Sequence, residues 1–161
     1  MYIVYLAGQI STNPETYRWR KRVREFFNYE PKFNSHLTII DPCQSAWNQK
    51  VLTNGRISKN GLSIALNQKV WGLLPHKDRQ HVRRSTIALA NMNIYSPEEP
   101  SIGTIYELAW YFDDPAKMVI GIHEDHRNDL RCQHPFVQAT VHTWVKDEIE
   151  ACKLLVNLLD V

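Results

Sequence analysis

Apolar positions in this chain come in short dense runs separated by longer stretches of mixed polarity. Tyr2 to Ala7 is a nearly unbroken apolar run that stops at Gly8, the pattern of a strand buried on both faces. Leu37 to Ile40 is a second run, ended by Asp41-Pro42, because proline cannot continue a central strand. Thr86 to Asn91 and Met118 to Ile122 repeat the pattern, and Val141 to Val145 reads as a fifth strand.

Between these runs the periodicity changes to that of helices. Thr12-Asn13-Pro14-Glu15 has the marks of a helix start: Asn13 can cap, Pro14 suits the first helical position, and Thr12 with Glu15 has capping-box spacing. The helix runs to about Asn28, with Trp19, Val23, Phe26 and Phe27 as its apolar stripe. Further helices are expected from about Pro75 to Arg84, Ile102 to Phe112 and Lys146 to Leu159. Strands alternating with helices predict parallel βαβ units, hence an open three-layer α/β sandwich with its site beyond the carboxyl ends of the strands. Cys43 to Leu74 breaks the rhythm. It is long for a strand-to-helix connection and holds Trp47, Trp71, Asn54-Gly55 and Asn60-Gly61, so a small hairpin or short helix fits there. It is either a lid or wall of the site or a decorative insertion.

Composition narrows the class. The 161 residues suit one domain, 1–161, with an ordinary 43% of hydrophobic residues. Nineteen Lys and Arg against 17 Asp and Glu leave +2, too little for a nucleic-acid coat protein. No apolar run approaches a membrane span, and Met1 to Leu6 lacks the basic leader of a signal peptide. Cys43, Cys132 and Cys152, odd in number and far apart, read as reduced packing thiols in a cytoplasmic compartment.

Candidate chemistry concentrates in Pro100-Ser101-Ile102-Gly103-Thr104-Ile105-Tyr106-Glu107, which follows the third strand and opens a helix. A helix start offers unpaired N–H groups and positive potential, Gly103 permits close approach, and Ser101 and Thr104 add hydroxyls, so an anion or a sugar fits there. Glu107, about one turn in, can act as a nucleophile or stabilise a cationic transition state. Thr104 to Glu107 also has capping-box spacing, in which Glu107 would only satisfy a backbone N–H. Asp78, between Lys77 and Arg79, is either a proton donor near the third strand or a solvated charge. Gly8 lacks the companions of a dinucleotide fingerprint. His123-Glu124-Asp125-His126, near Cys132 and His134, does not have the spacing of a zincin helix, and no metal is expected. Arg18, Arg20, Lys21, Arg22 and Arg24 read mainly as the wet face of the first helix.

Taken together, Tyr5-Leu6-Ala7-Gly8-Gln9-Ile10, Trp19-Arg20, Asp78, Leu89-Ala90-Asn91-Met92, Ser101 to Leu108 and His134-Pro135-Phe136-Val137 resemble the nucleoside 2-deoxyribosyltransferase family, with its relatives that hydrolyse nucleoside 5′-monophosphates. The likeness spans most of the chain except Cys43 to Leu74. It implies a flavodoxin-like sandwich on a five-stranded, mostly parallel sheet, and a reaction at the anomeric carbon of a deoxyribose. It implies Glu107 as nucleophile and Asp78 as the acid at the base. It also implies substrate contacts from Tyr5, Gly8, Gln9, Ile10, Trp19, Asn91, Ser101, Gly103 and Thr104, with no cofactor. Gln9 stands where many relatives have Pro, and Thr86 where Asp is frequent. Ser101, where transferring members carry Asp, turns the expectation towards a 5′-monophosphate, because a carboxylate would repel the dianion. The implied partners are a deoxynucleoside or deoxynucleotide, a free nucleobase and a second subunit. His134 to Thr140 would complete the neighbour's pocket, or else merely link the last two strands. A nucleotide-binding module without the chemistry is the alternative; a redox or phosphate-dependent flavodoxin-like protein is disfavoured by the missing motifs.

Overall fold

In the computed structural model, residues 1–11, 13–29, 33, 36–44, 73–99 and 101–159 are described. Thr12, Pro100 and the heart of the long connection, 45–72, lie outside them, as do the capping role read for Thr12 and the hairpin or helix read for the connection.

Five strands form the sheet: β1 (Tyr2–Gly8), β2 (Leu37–Ile40), β3 (Ile87–Asn91), β4 (Met118–Ile122) and β5 (Thr143–Val145). The helices are α1 (Glu15–Asn28), α2 (Leu73–Arg84), α3 (Ile102–Phe112), α4 (Pro135–Thr140) and α5 (Glu148–Leu158), and a 3-10 turn, Pro42–Gln44, follows β2. Every strand pair is parallel and the order is β2-β1-β3-β4-β5. That is the flavodoxin-like order, whose switch point lies between β1 and β3.

The alternation of side chains along each strand sorts the core into two layers. Val4, Leu6, Ile87, Leu89, Ile120 and Ile122 face α1 and α5, where they meet Trp19, Val23, Phe27, Ala151, Cys152 and Leu155. Tyr5, Ala7, Ala88, Ala90 and Val119 face the other way, against Val82 of α2, Leu108 and Tyr111 of α3 and Val137 of α4. The first layer is built from branched residues. The second is rich in alanine and carries one large polar side chain, Tyr5, which stands beside Ala88 on the neighbouring strand. The polar chemistry lies on this sparser face.

Local contacts explain the element ends. Asn13 Oδ1 accepts the Glu15 N–H at 3.0 Å and so caps α1 from just before Pro14. Asp147 caps α5, accepting from Ile149 and Glu150 at 2.9 and 2.8 Å. Lys117 closes the other end of α2: its ammonium donates to the carbonyls of Val82 (2.7 Å), Arg83 (3.0 Å) and Ser85. Helix C-termini favour such a cation. The strand expected at Val141 to Val145 begins at Thr143, because 135–140 is helical and Val141 closes that helix with its N–H on Val137 O.

Candidate active site

Tyr5, Asp78 and Glu107 come from three elements, β1, α2 and α3, and converge on the alanine-rich face of the sheet. α3 begins at Ile102 with Ser101 as its N-cap, so Thr104 lies inside the first turn rather than capping it. Thr104, Glu107, Leu108 and Tyr111 form the inward stripe. Glu107 is 8% exposed, and its Oε1 accepts the Tyr5 hydroxyl at 2.5 Å. Its partner is therefore a side chain on β1 and not the backbone N–H that a capping box would supply.

Burial pushes the Glu107 carboxyl up to about 8. The Tyr5 hydrogen bond pulls it down, the nearby Asp78 pushes it further up, and the Arg20 guanidinium pulls it down. Burial also raises Asp78, against the opposing pull of Lys77. Tyr5 is raised well above its ordinary value by burial, then by the charges of Glu107 and Asp78, so it remains a donor. Asp78 acts electrostatically on both Tyr5 and Glu107 and is not merely a solvated surface charge. Two acids with raised values beside one phenol make a proton-handling cluster.

Two members of this neighbourhood were missed in the sequence reading. His81 lies one turn beyond Asp78 on α2, with its ring centroid 6.5 Å from that of Tyr5. Burial lowers its pKa, and its Nδ1 is buried without a hydrogen-bond partner among the described residues. The three-residue spacing from Asp78 was the available signal. Arg20, read as part of a wet helix face, is fully buried. It donates to the carbonyls of Gly8 (2.8 Å), Gln9 (3.3 Å) and Thr16, lies 3.7 Å from Asp41, and thereby ties α1 to the carboxyl end of β1.

The other residues expected at the site divide into four groups. Gln9 is a clamp: its amide donates to the carbonyls of Ser96 (2.7 Å) and Glu99 (2.5 Å), and its oxygen accepts from the N–H groups of Tyr95 and Ser96 at 2.9 and 3.0 Å. Asn91 works in the same loop, donating to the Tyr95 hydroxyl at 2.9 Å and accepting from Asn93. Trp19 and Gly8 belong to packing. Trp19 is fully buried on the α1 side of the sheet, and a Cβ on Gly8 would meet its ring at 3.0 Å and the Asn91 carbonyl at 3.1 Å. Ser101, Gly103 and Ile10 remain available. Among the described residues, the Ser101 hydroxyl is buried without a partner and a Cβ on Gly103 would meet nothing within 4 Å, while Ile10 is 43% exposed. Thr104 is buried on the inner side of α3 with Glu107.

Behind the loop that Gln9 holds, a cleft of about 650 Å³ opens at the ends of β3, β4 and β5, lined by Arg22, Tyr95, His123, Arg131, Lys146 and Glu148 among others. Its two arginines are paired: Arg22 with Glu148 and Glu15 inside the cleft, and Arg131 with Asp129 beside it. At its edge the ligand atoms of His123, Asp129 and Cys132 lie within 4.8 Å of one another. Their chemistry does not suit a metal. His123 Nδ1 accepts the Asp125 N–H at 3.0 Å, which leaves the ring proton on Nε2, 3.1 Å from Asp129. A metal-bound histidine instead donates from its second nitrogen. Asp129 is held by Arg131 through both oxygens, and burial pushes the Cys132 thiol up to about 11. Cys43 and Cys152 are likewise buried, with thiols pushed up to about 11 and about 12, as packing residues require.

No protein-family model matches the chain, and no curated protein matches it.

Proposed function

We propose that the protein is a nucleoside 2-deoxyribosyltransferase-like enzyme that cleaves the N-glycosidic bond of a 2′-deoxynucleoside or its 5′-monophosphate. The observation that carries this reading is the Tyr5–Glu107 hydrogen bond, with the charge of Asp78 acting on both groups. The ionised Glu107 carboxylate attacks C1′. The C1′–N bond breaks, its electron pair leaves on the base, and a base nitrogen takes the Asp78 proton. Water or a second base then attacks C1′, frees Glu107 and returns a proton to Asp78, so configuration is retained over two displacements. Tyr5 stabilises the attacking carboxylate before attack and after release. Ser101, whose hydroxyl at the head of α3 has no partner among the described residues, supports a 5′-phosphate on the sugar.

The test is incubation with each deoxynucleoside and deoxynucleotide, with and without a second free base, followed by chromatography. Base release alone means hydrolysis, and base exchange means transfer. Glu107→Gln is expected to lower either rate by about 10³-fold or more, the scale of losing a nucleophile. Full turnover in that variant would remove the mechanism.

One observation favours a second reading, a nucleotide-binding module without chemistry. Glu107 is almost wholly buried and its carboxyl is pushed up to about 8, so at pH 7 roughly a tenth is ionised. Thermal stabilisation by deoxynucleotides with no base release at any pH from 5 to 9 would select that reading.

A further inference from the structure

The cations of α2 are not used by the fold. The helix carries Lys77, Arg79, Arg83 and Arg84 against one acid, Asp78, a net +3 in a chain whose total is +2. Arg79, Arg83 and Arg84 are exposed and Lys77 is half-buried. None of the four forms an ion pair among the described residues. The helix dipole does not need them, because Lys117 already occupies the carbonyls of Val82, Arg83 and Ser85 at the carboxyl end. Arg79 and Arg83, four residues apart, repel each other. The charge of Lys77 acts on Asp78, and those of Lys77 and Arg84 act on His81, so both cations stand on the flank of α2 that borders the candidate site. Opposite them is α3, which packs against α2. Glu107 marks the edge of its buried stripe nearest β1, where it meets Tyr5. Tyr106 and Trp110, one residue before it and three after, continue that edge towards solvent. Tyr106 is 61% exposed, Trp110 is half-buried, and their rings stand 6.3 Å apart. The floor of Tyr5, Asp78 and Glu107 thus lies between a cationic wall and an aromatic one.

We propose that the face shared by α2 and α3 is a docking surface for single-stranded nucleic acid, with phosphates along Lys77 and Arg84 and bases stacked on Tyr106 and Trp110. A polyanion answers the unpaired cations, and the aromatic wall selects which polyanion. Single strands are held by this combination of a basic track and stacking rings. A duplex keeps its bases stacked on one another and presents only their edges, so it offers Tyr106 no ring face. An acidic polypeptide would meet the cations and leave the aromatic wall unmatched. An anionic membrane would want apolar side chains among the cations, whereas Arg79, Gln80 and Arg83 make the outward side of α2 polar. From Lys77 to Arg84 the helix rises about 10 Å, the length of two or three nucleotides of strand. Burial keeps Glu107 largely protonated at pH 7, so the floor adds little repulsion. The balance of the whole chain hides this surface, because the residues outside α2 net −1. The docking rests on the two walls and not on the proposed reaction.

Fluorescence anisotropy with a labelled thymidine strand of about twelve nucleotides tests it, beside the same strand in a duplex and poly-glutamate as competitor. Wild type is expected to bind the single strand at least about 10-fold more tightly than the duplex, with a log–log salt slope of about −2 to −3. Lys77→Glu with Arg84→Glu is expected to lower affinity at least about 10-fold and to flatten that slope by about one or more. Tyr106→Ala is expected to lower affinity about 5- to 100-fold at an unchanged slope, the signature of lost stacking rather than lost charge. Lys21→Glu with Lys153→Glu makes the same charge change on α1 and α5, across the sheet, and is expected to cost less than about 3-fold. The surface is overturned by any of five results: no strand binding at low salt, equal binding of the duplex, displacement by poly-glutamate as effective as by unlabelled strand, full affinity in Tyr106→Ala, or equal losses in the two charge pairs. Should the first pair fail to fold by circular dichroism, Lys77→Gln with Arg84→Gln takes its place, and an unchanged salt slope there overturns the surface. A wild type that holds strands and releases no base leaves the surface standing and sinks the reaction. One that releases base from mononucleotides and holds no strand does the reverse.

Discussion

At the scale of single residues, the site is a contest over one proton. Burial opposes a charge on Glu107, while the Tyr5 hydroxyl at 2.5 Å favours it. Removing that donor shows which way the balance tips. A hydrogen bond to a charged group is worth about 1.5–3 kcal/mol, so Tyr5→Phe raises the Glu107 pKa by about one to two units. The alkaline-rising limb of base release, expected near pH 8 in wild type, moves up by that amount, and the rate at pH 7 falls about 10- to 100-fold. A Tyr5→Phe profile with an unmoved limb would mean that the phenol does not hold the reacting carboxylate. Little of this contest was legible in the chain. Glu107 was identified through its place near a helix start, but the partner that holds it is Tyr5 on β1, 102 positions away. The capping-box spacing at Thr104 offered a false local partner, since α3 begins three residues earlier than that box needs.

At the scale of elements, the strands and long helices were legible because burial on both sheet faces leaves dense apolar runs. The limits of β2, β4 and α3 match the expected spans, while β5 is shorter because α4 precedes it. Six residues of α4 are too few to display a helical period, which is why the apolar periodicity did not disclose it. Interactions between elements were least legible. Gln9 was expected at a substrate, yet four hydrogen bonds commit its amide to residues 95–99. Arg20 was placed with its wet neighbours, and only three carbonyl contacts identify it as the bolt between α1 and β1. Gln9→Ala therefore frees a loop that leads directly to Ser101. It is expected to cost about 1–3 kcal/mol in urea unfolding, the scale of stranding buried polar groups. The substrate KM should rise with kcat less affected, because the loop positions the turn proposed to hold the substrate's anion while Glu107 stays on its own helix. A fall in kcat alone would place Gln9 in the chemistry instead.

For the molecule as a whole, the same carboxyl sets the proposed activity and stability against each other. Glu107 keeps its proton to about 8 when folded, against an ordinary value of 4.5. Between those values the unfolded chain binds fewer protons than the folded one, so this group's contribution is full below 4.5 and is lost as pH rises through 8. Asp78, also raised, acts in the same direction. His81 is lowered from 6.5 and contributes the opposite slope below that value, while Glu15 and Asp129, both lowered, act only in acid. The difference between wild type and Glu107→Gln cancels those other groups. The neutral amide keeps its shape and can still accept the Tyr5 hydroxyl. Its stability advantage is expected to grow with pH from about 5 to 8, at a slope approaching about 1.4 kcal/mol per unit, and to flatten above that. Urea melts at half-unit pH intervals measure it. A difference independent of pH would show that Glu107 is not protonated in the folded chain, and a carboxylate already ionised at pH 7 would need no alkaline limb for catalysis. The variant that loses the reaction should thus be the more stable one wherever the wild type is most active, as expected of a charge buried for chemistry rather than for the fold.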